Sequence, residues 1–275
     1  MAYAYPGEGA LDYYPCRYGK SKLLFRGPRR ELDKPYVAVL GGTETYGKFV
    51  PVPYPALVEQ DTGIRMVNLG AVNAGLDVFL NEMTVLEIAA NARAVVVQLV
   101  GAQNLSNRFY AVHPRRNDRF LRASNLLRSL FREVDFTEFH FTRHMLQTLQ
   151  RVSPERFEVV AEELRAAWVA RMSALLDALP VKTVLLWFAA HPPQKPGTRA
   201  DLALDPILVD SEMIASVRAR ATEYVEAIST PQARARGLDG MAFAPLEEPA
   251  ALGIPGPSVH EEVAAQLSTA LARIL

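Results

Sequence analysis

The segment VAVLGGTETYG, residues 37–47, carries an apolar run into Gly41 and Gly42, and Thr43 follows at the tip of the turn. A hydroxyl in that place has two uses. It can be a nucleophile, which needs a neighbouring base to take its proton, or it can cap the helix behind the strand. His191, in FAAHPP, also follows an apolar run; it either lines a site or is held in its loop by Pro192 and Pro193. His140 and His144 have the four-residue spacing that suits two metal ligands on a helix. Aromatic residues surround them and no cysteine lies near, so the pair reads as packing and no metal is expected. YGKSKLLF (18–25) contains the Gly-Lys-Ser of a phosphate loop. Tyr14 stands where that loop needs its first glycine, and no strand precedes it, which excludes the match.

Positioning such groups needs strands and helices in alternation, and the chain supplies them. Residues 36–42, 64–70, 94–101, 181–188 and 223–228 read as strands, most of them short β-branched or aliphatic runs. Residues 54–63, 76–91, 153–180, 210–221 and 257–275 read as helices. Ser153 and Pro154 suit the start of the longest, with Glu155 and Glu158 near its N-terminus. Repeated strand–helix units predict an α/β fold of three layers, α/β/α, around a mostly parallel sheet of about five strands. Ligands in such sheets sit beyond the carboxyl ends of the strands. Gly42-Thr43, Gly70 to Gly75, Gly101 to Asn104, and His191 should therefore share one edge.

The bulk properties narrow the function classes. At 275 residues with a net charge of zero, the chain can bury a large core and shows no bias toward nucleic acid or membrane surfaces. Cys16 is the only cysteine, so neither an internal disulfide nor a cysteine metal cage is available. The opening MAYAYPGEGALDYY lacks the regions of a signal peptide, and a soluble cytoplasmic protein is the simplest expectation.

GGTETYG (41–47) resembles the opening Gly-Asp-Ser-x-Thr-x-Gly block of the SGNH, or GDSL-like, hydrolases. Gly41, Thr45 and Gly47 match, Gly42 replaces the aspartate, and Thr43 stands at the serine. VNLGAVNAG (67–75) is similar to the second block, whose glycine donates to the oxyanion; the spacing from Asn68 falls on Asn73, and the nearest glycine is Gly75. LVGAQN (99–104) is similar to the Gly-x-Asn-Asp block, with Gln103 at the asparagine and Asn104 at the aspartate. His260 precedes the final helix as the Asp-x-x-His block requires, but Pro257 occupies its aspartate position; a second alignment, on DGMA (239–242), keeps Asp239 and puts Ala242 at the histidine.

This resemblance implies a divergent bacterial member with an SGNH/flavodoxin-like sheet over 36–275. It implies an ester hydrolase or acyl transferase in which Thr43 attacks and His260 takes its proton. Asn73, Gly75, Gln103 and Asn104 would surround the oxyanion, with His191 nearby. The rival reading keeps the pocket and loses the catalysis, leaving a protein that binds a glycan or an anionic ligand, or a structural module of a larger assembly. No organic cofactor is required by either.

Two stretches lie outside the blocks. Residues 16–30 are basic with no acidic residue, and are expected to form an N-terminal segment, 1–35, packed on the domain. Residues 105–152 are expected to form an arginine-rich helical insertion. Within 105–144 eight arginines outnumber four carboxylates, and Arg115, Arg116 and Arg119 are the expected anion contacts.

Overall fold

Alternation along the apolar runs sets the layers. The computed structural model describes residues 9–275. Strands β1 (Tyr36–Leu40), β2 (Arg65–Asn68) and β3 (Ala94–Gln98) are followed by β4 (Tyr110–His113) and β5 (Arg116–Ala123). Strands β6 (Lys182–Ala189) and β7 (Glu223–Ile228) complete the set. The main sheet has the order β2-β1-β3-β6-β7, with every neighbouring pair parallel. Val37, Val39, Ala94, Val96, Val184 and Leu186 point into one core, under helices Tyr54–Thr62 and Pro257–Ile274. Ala38, Leu40, Val95, Val97, Leu185 and Trp187 point into the other, under helices Met83–Ala90 and Pro154–Asp177. The chain is thus the three-layer α/β/α fold that its pattern predicts.

Numbered within the parallel sheet alone, this strand order is 2-1-3-4-5. The connections leaving β1 and β3 diverge, and the crevice between their carboxyl ends is where such sheets place ligands. The longest helix holds that edge in place. Ser153 Oγ caps it by accepting from the Arg156 N–H (3.3 Å), and the fully buried Trp168 donates its indole N–H to the Val100 carbonyl (2.7 Å).

Three local expectations are corrected. Residues 76–91 form two helices, Leu76–Leu80 and Met83–Ala90, because Glu82 leaves helical geometry at ψ 89°. The 105–152 insertion is not purely helical: β4 and β5 pair as an antiparallel hairpin, with Tyr110, Val112 and Phe120 buried. Phe120 and Ala123 of β5 are buried while Arg116 and Arg122 of the same strand stay exposed. His140 lies ahead of helix Thr142–Val152, which carries His144, so the pair does not share a helix.

The described part of the N-terminal segment lies against this domain. Tyr18, Leu23 and Phe25 enter the core, and Arg26 donates to the carbonyls of Gly47 (2.5 Å) and Pro51 (2.7 Å). No helix among the described residues is long and apolar enough to cross a membrane.

Candidate active site

Gln98 is the only polar residue of β3, and it ends the strand facing the first turn after β1. Its Oε1 accepts from the Gly42 N–H (3.0 Å) and the Thr45 hydroxyl (2.6 Å), and its Nε2 donates to Glu44 (2.8 Å). Tyr54 OH completes the set on Thr45 (2.7 Å). One buried amide therefore fixes the whole GGTETYG turn, satisfying groups that would be costly to bury alone.

The turn opens onto a cavity of about 320 Å³ at the crevice between β1 and β3. Thr43, Asn73, Gln103 and Asn104 line it, together with Glu44 and Lys48. An Arg143–Asp205 ion pair also borders it. The sequence blocks do converge, but their polar groups are spent on one another. Thr43 Oγ1 accepts from the Asn73 N–H (2.9 Å) and donates to Asn73 Oδ1 (3.2 Å). Asn73 sits at φ 55°, a left-handed conformation that glycine adopts freely and asparagine tolerates. Its Nδ2 donates to Asp118 (3.2 Å), while its carbonyl accepts from Asn104 Nδ2 (3.0 Å). Asn104 Oδ1 accepts from Thr142 (2.7 Å), and the Gly75 N–H is held by Asn117 Oδ1 (3.0 Å). The donors expected to face an oxyanion at Asn73, Gly75 and Asn104 are thus engaged within the protein. Gln103 differs: its Oε1 is buried, close against Gly101, and has no partner among the described residues.

His260 is not part of this cluster. It is fully buried, and its Nδ1 accepts from the Tyr54 N–H (3.1 Å), one of the unpaired amides at the start of helix Tyr54–Thr62. The ring stacks on Tyr54 and meets Phe188 edge-on. Burial, reinforced by the positive charge of Arg26, lowers its pKa to about 3. The expected Thr43–His260 hydrogen bond is not made; the imidazole caps a different helix and stays neutral. His191 turns away too. Its Nδ1 lies 2.7 Å from the Pro192 carbonyl and its ring packs on Trp187. No histidine lines the cavity among the described residues. Arg115 and Arg116 are exposed near the β4–β5 turn, and Arg119 lies over the Phe141 ring (4.3 Å). The arginine that borders the cavity is Arg143.

The chain matches, over residues 1–275, the family described as Domain of unknown function (DUF6473). It belongs to the DUF6473 family. No curated protein matches it. Solved structures of similar shape include a lipase from a goat rumen metagenome, 12% identical at a TM-score of 0.45, covering 86% of this chain and 97% of that one. A family two carbohydrate esterase from Clostridium thermocellum, in complex with cellohexaose, is 12% identical at 0.43, covering 91% and 67%. A catalytic mutant of Axe2, an acetylxylan esterase from Geobacillus stearothermophilus, is 14% identical at 0.42, covering 87% and 94%.

In this DUF6473 chain the residues that sequence reasoning missed are Glu44, Gln98, Arg143 and Asp205. Gln98 carried a signal: it is a lone polar residue at the carboxyl end of an otherwise aliphatic run. Glu44 carried another, as the neighbour of Thr43. Loss of water in the pocket wall raises the Glu44 pKa, and the Asp205 charge adds to the shift. A carboxyl with a raised folded pKa holds its proton longer in the folded state, so its contribution to stability is lost as pH rises above the ordinary carboxylate range. Glu44→Gln is therefore expected to stabilise the protein at pH 8 and to lose that advantage toward pH 4. Urea denaturation across that range checks it; a pH-independent difference would contradict it.

Proposed function

We propose that this protein is an SGNH-like binding protein whose pocket holds a polar, hydroxyl-bearing ligand of carbohydrate type, without imidazole-assisted ester cleavage. One observation carries the reading: the Thr43 hydroxyl and the amides around it are hydrogen-bonded to one another, while the late histidine is committed to a helix cap. A hydroxyl with no base remains a poor nucleophile, and after its two bonds to Asn73 the Thr43 oxygen keeps one lone pair that can accept from a ligand. The lining mixes carboxamides, a carboxyl and an ion pair, which suits ring hydroxyls able to donate and accept at once. Gln103 lines the same cavity, and its buried oxygen has no partner among the described residues. Arg115 and Arg116 are proposed as outer contacts for an anionic group on a larger ligand.

Calorimetric titration with methyl glycosides tests this. Gln103→Leu is expected to weaken binding about tenfold, the effect of losing one hydrogen bond to a ligand in a partly dry site. Unchanged affinity in Gln103→Leu would remove the pocket from the account.

A second reading is favoured by the Glu44 carboxyl, which borders the same cavity as Thr43 and has a raised pKa. In that reading Glu44 is the base for Thr43 and the protein hydrolyses an acyl ester. Glu44→Gln and Thr43→Ala would then each abolish turnover, because members of such a unit are not additive.

A further inference from the structure

A second cavity, of about 310 Å³, lies beside the first. The two share walls: Phe188, Gly253 and Ile254 line both. Their chemistry differs. The first is walled by carboxamides and charged groups, whereas the second is walled largely by aliphatic side chains, among them Leu238, Ala251 and Val259. Its one charged residue, Arg234, directs one guanidinium nitrogen, Nη1, at the carbonyls of Ser229 and Ala190. The partition between the cavities is the strap 250–256, and at Gly253 it carries no side chain. A Cβ added there would meet only the Ala250 carbonyl, at an ordinary 3.7 Å. A polar compartment and an apolar one that share three lining residues, one of them a glycine, fit the two ends of one molecule.

We propose that the second cavity binds a short linear acyl or alkyl group attached to the polar ligand held beside Thr43. This rests on the polar-pocket reading and adds the ligand's other half. The volume is at the small end of ligand cavities, about 300–1,000 Å³, and has room for a short chain. Apolar walls reward each methylene removed from water and offer nothing to a second sugar ring, whose hydroxyls would lose their hydrogen bonds.

The test uses methyl and butyl β-D-glucoside, ethers that cannot be cleaved as esters. Each buried methylene tightens binding by about three- to fourfold, so the butyl compound should bind at least about ten times more tightly than the methyl one. Gly253→Val adds bulk at the shared wall, and Ala190→Phe adds bulk from an exposed position on the lining of the second cavity. In each variant the butyl-to-methyl affinity ratio should fall to about one. Equal binding of both glucosides by the wild type overturns the inference and leaves the polar pocket standing. So does a full butyl preference that persists in both variants, since the chain would then lie elsewhere. Failure of the wild type to bind either glucoside overturns the polar-pocket reading itself, and this inference with it.

Discussion

Replacing His260 with phenylalanine is expected to flatten the acid limb of the protein's stability. The folded imidazole has its pKa lowered from 6.5 to about 3, so between those values the unfolded chain binds a proton that the folded chain refuses. Stability of the wild type must therefore fall as pH drops through that window. Over the full window the loss is on the order of 4–5 kcal/mol, which exceeds most single contributions to a domain of this size. His260→Phe removes the titration and keeps an aromatic ring against Tyr54 and Phe188. It also leaves the Tyr54 N–H unpaired, which costs about 1–2 kcal/mol at every pH. The variant should thus be the less stable protein at pH 7 and the more stable one near pH 4. Urea midpoints across the window measure the crossing; parallel profiles would mean that His260 accepts a proton while folded.

Gly75→Ala is expected to do comparable damage for a different reason. A Cβ at Gly75 would land on the backbone carbonyl of Asn104, well inside contact distance, and backbone cannot swing aside as a side-chain tip can. The loops after β2 and β3 would have to separate, breaking the Asn104–Asn73 hydrogen bond and the two bonds from Asn117 to the Gly75 and Val78 amides. A loss on the order of 3 kcal/mol is expected, together with loss of ligand affinity, because the same loops carry Asn73 and Gln103. Near-native stability would show that the two loops are not held in close contact.

The sheet was legible because most of its strands are short aliphatic or β-branched runs, and the pull of that pattern is local. The edge where Thr43, Asn73, Gln103 and Asn104 gather was legible too, since parallel sheets leave one productive edge. The hairpin in the insertion was not: its alternation is thin, and Pro114 with its flanking arginines hides a strand pair behind loop-like composition. His260 was misjudged for a physical reason. Sequence places it in the first turn of the last helix but says nothing of which neighbouring helix end its Nδ1 will cap. That contact spans 206 residues of chain. Spacing makes Gly75 an oxyanion donor, whereas in the structure its N–H donates to Asn117 and its lack of a side chain allows close approach of the Asn104 carbonyl. Donor identity can be read from spacing, but whether a donor is already spent cannot.

The central claim is that Thr43 is a ligand contact and not an activated nucleophile, and turnover of an activated aryl acetate by the wild type, Thr43→Ala and Thr43→Ser tests it most directly. Because nothing takes the Thr43 proton, the three proteins are expected to show the same slow hydrolysis, within about twofold, and no acyl-enzyme burst. Abolished turnover in Thr43→Ala, with turnover kept or raised in Thr43→Ser, would contradict the account and make this pocket an active site.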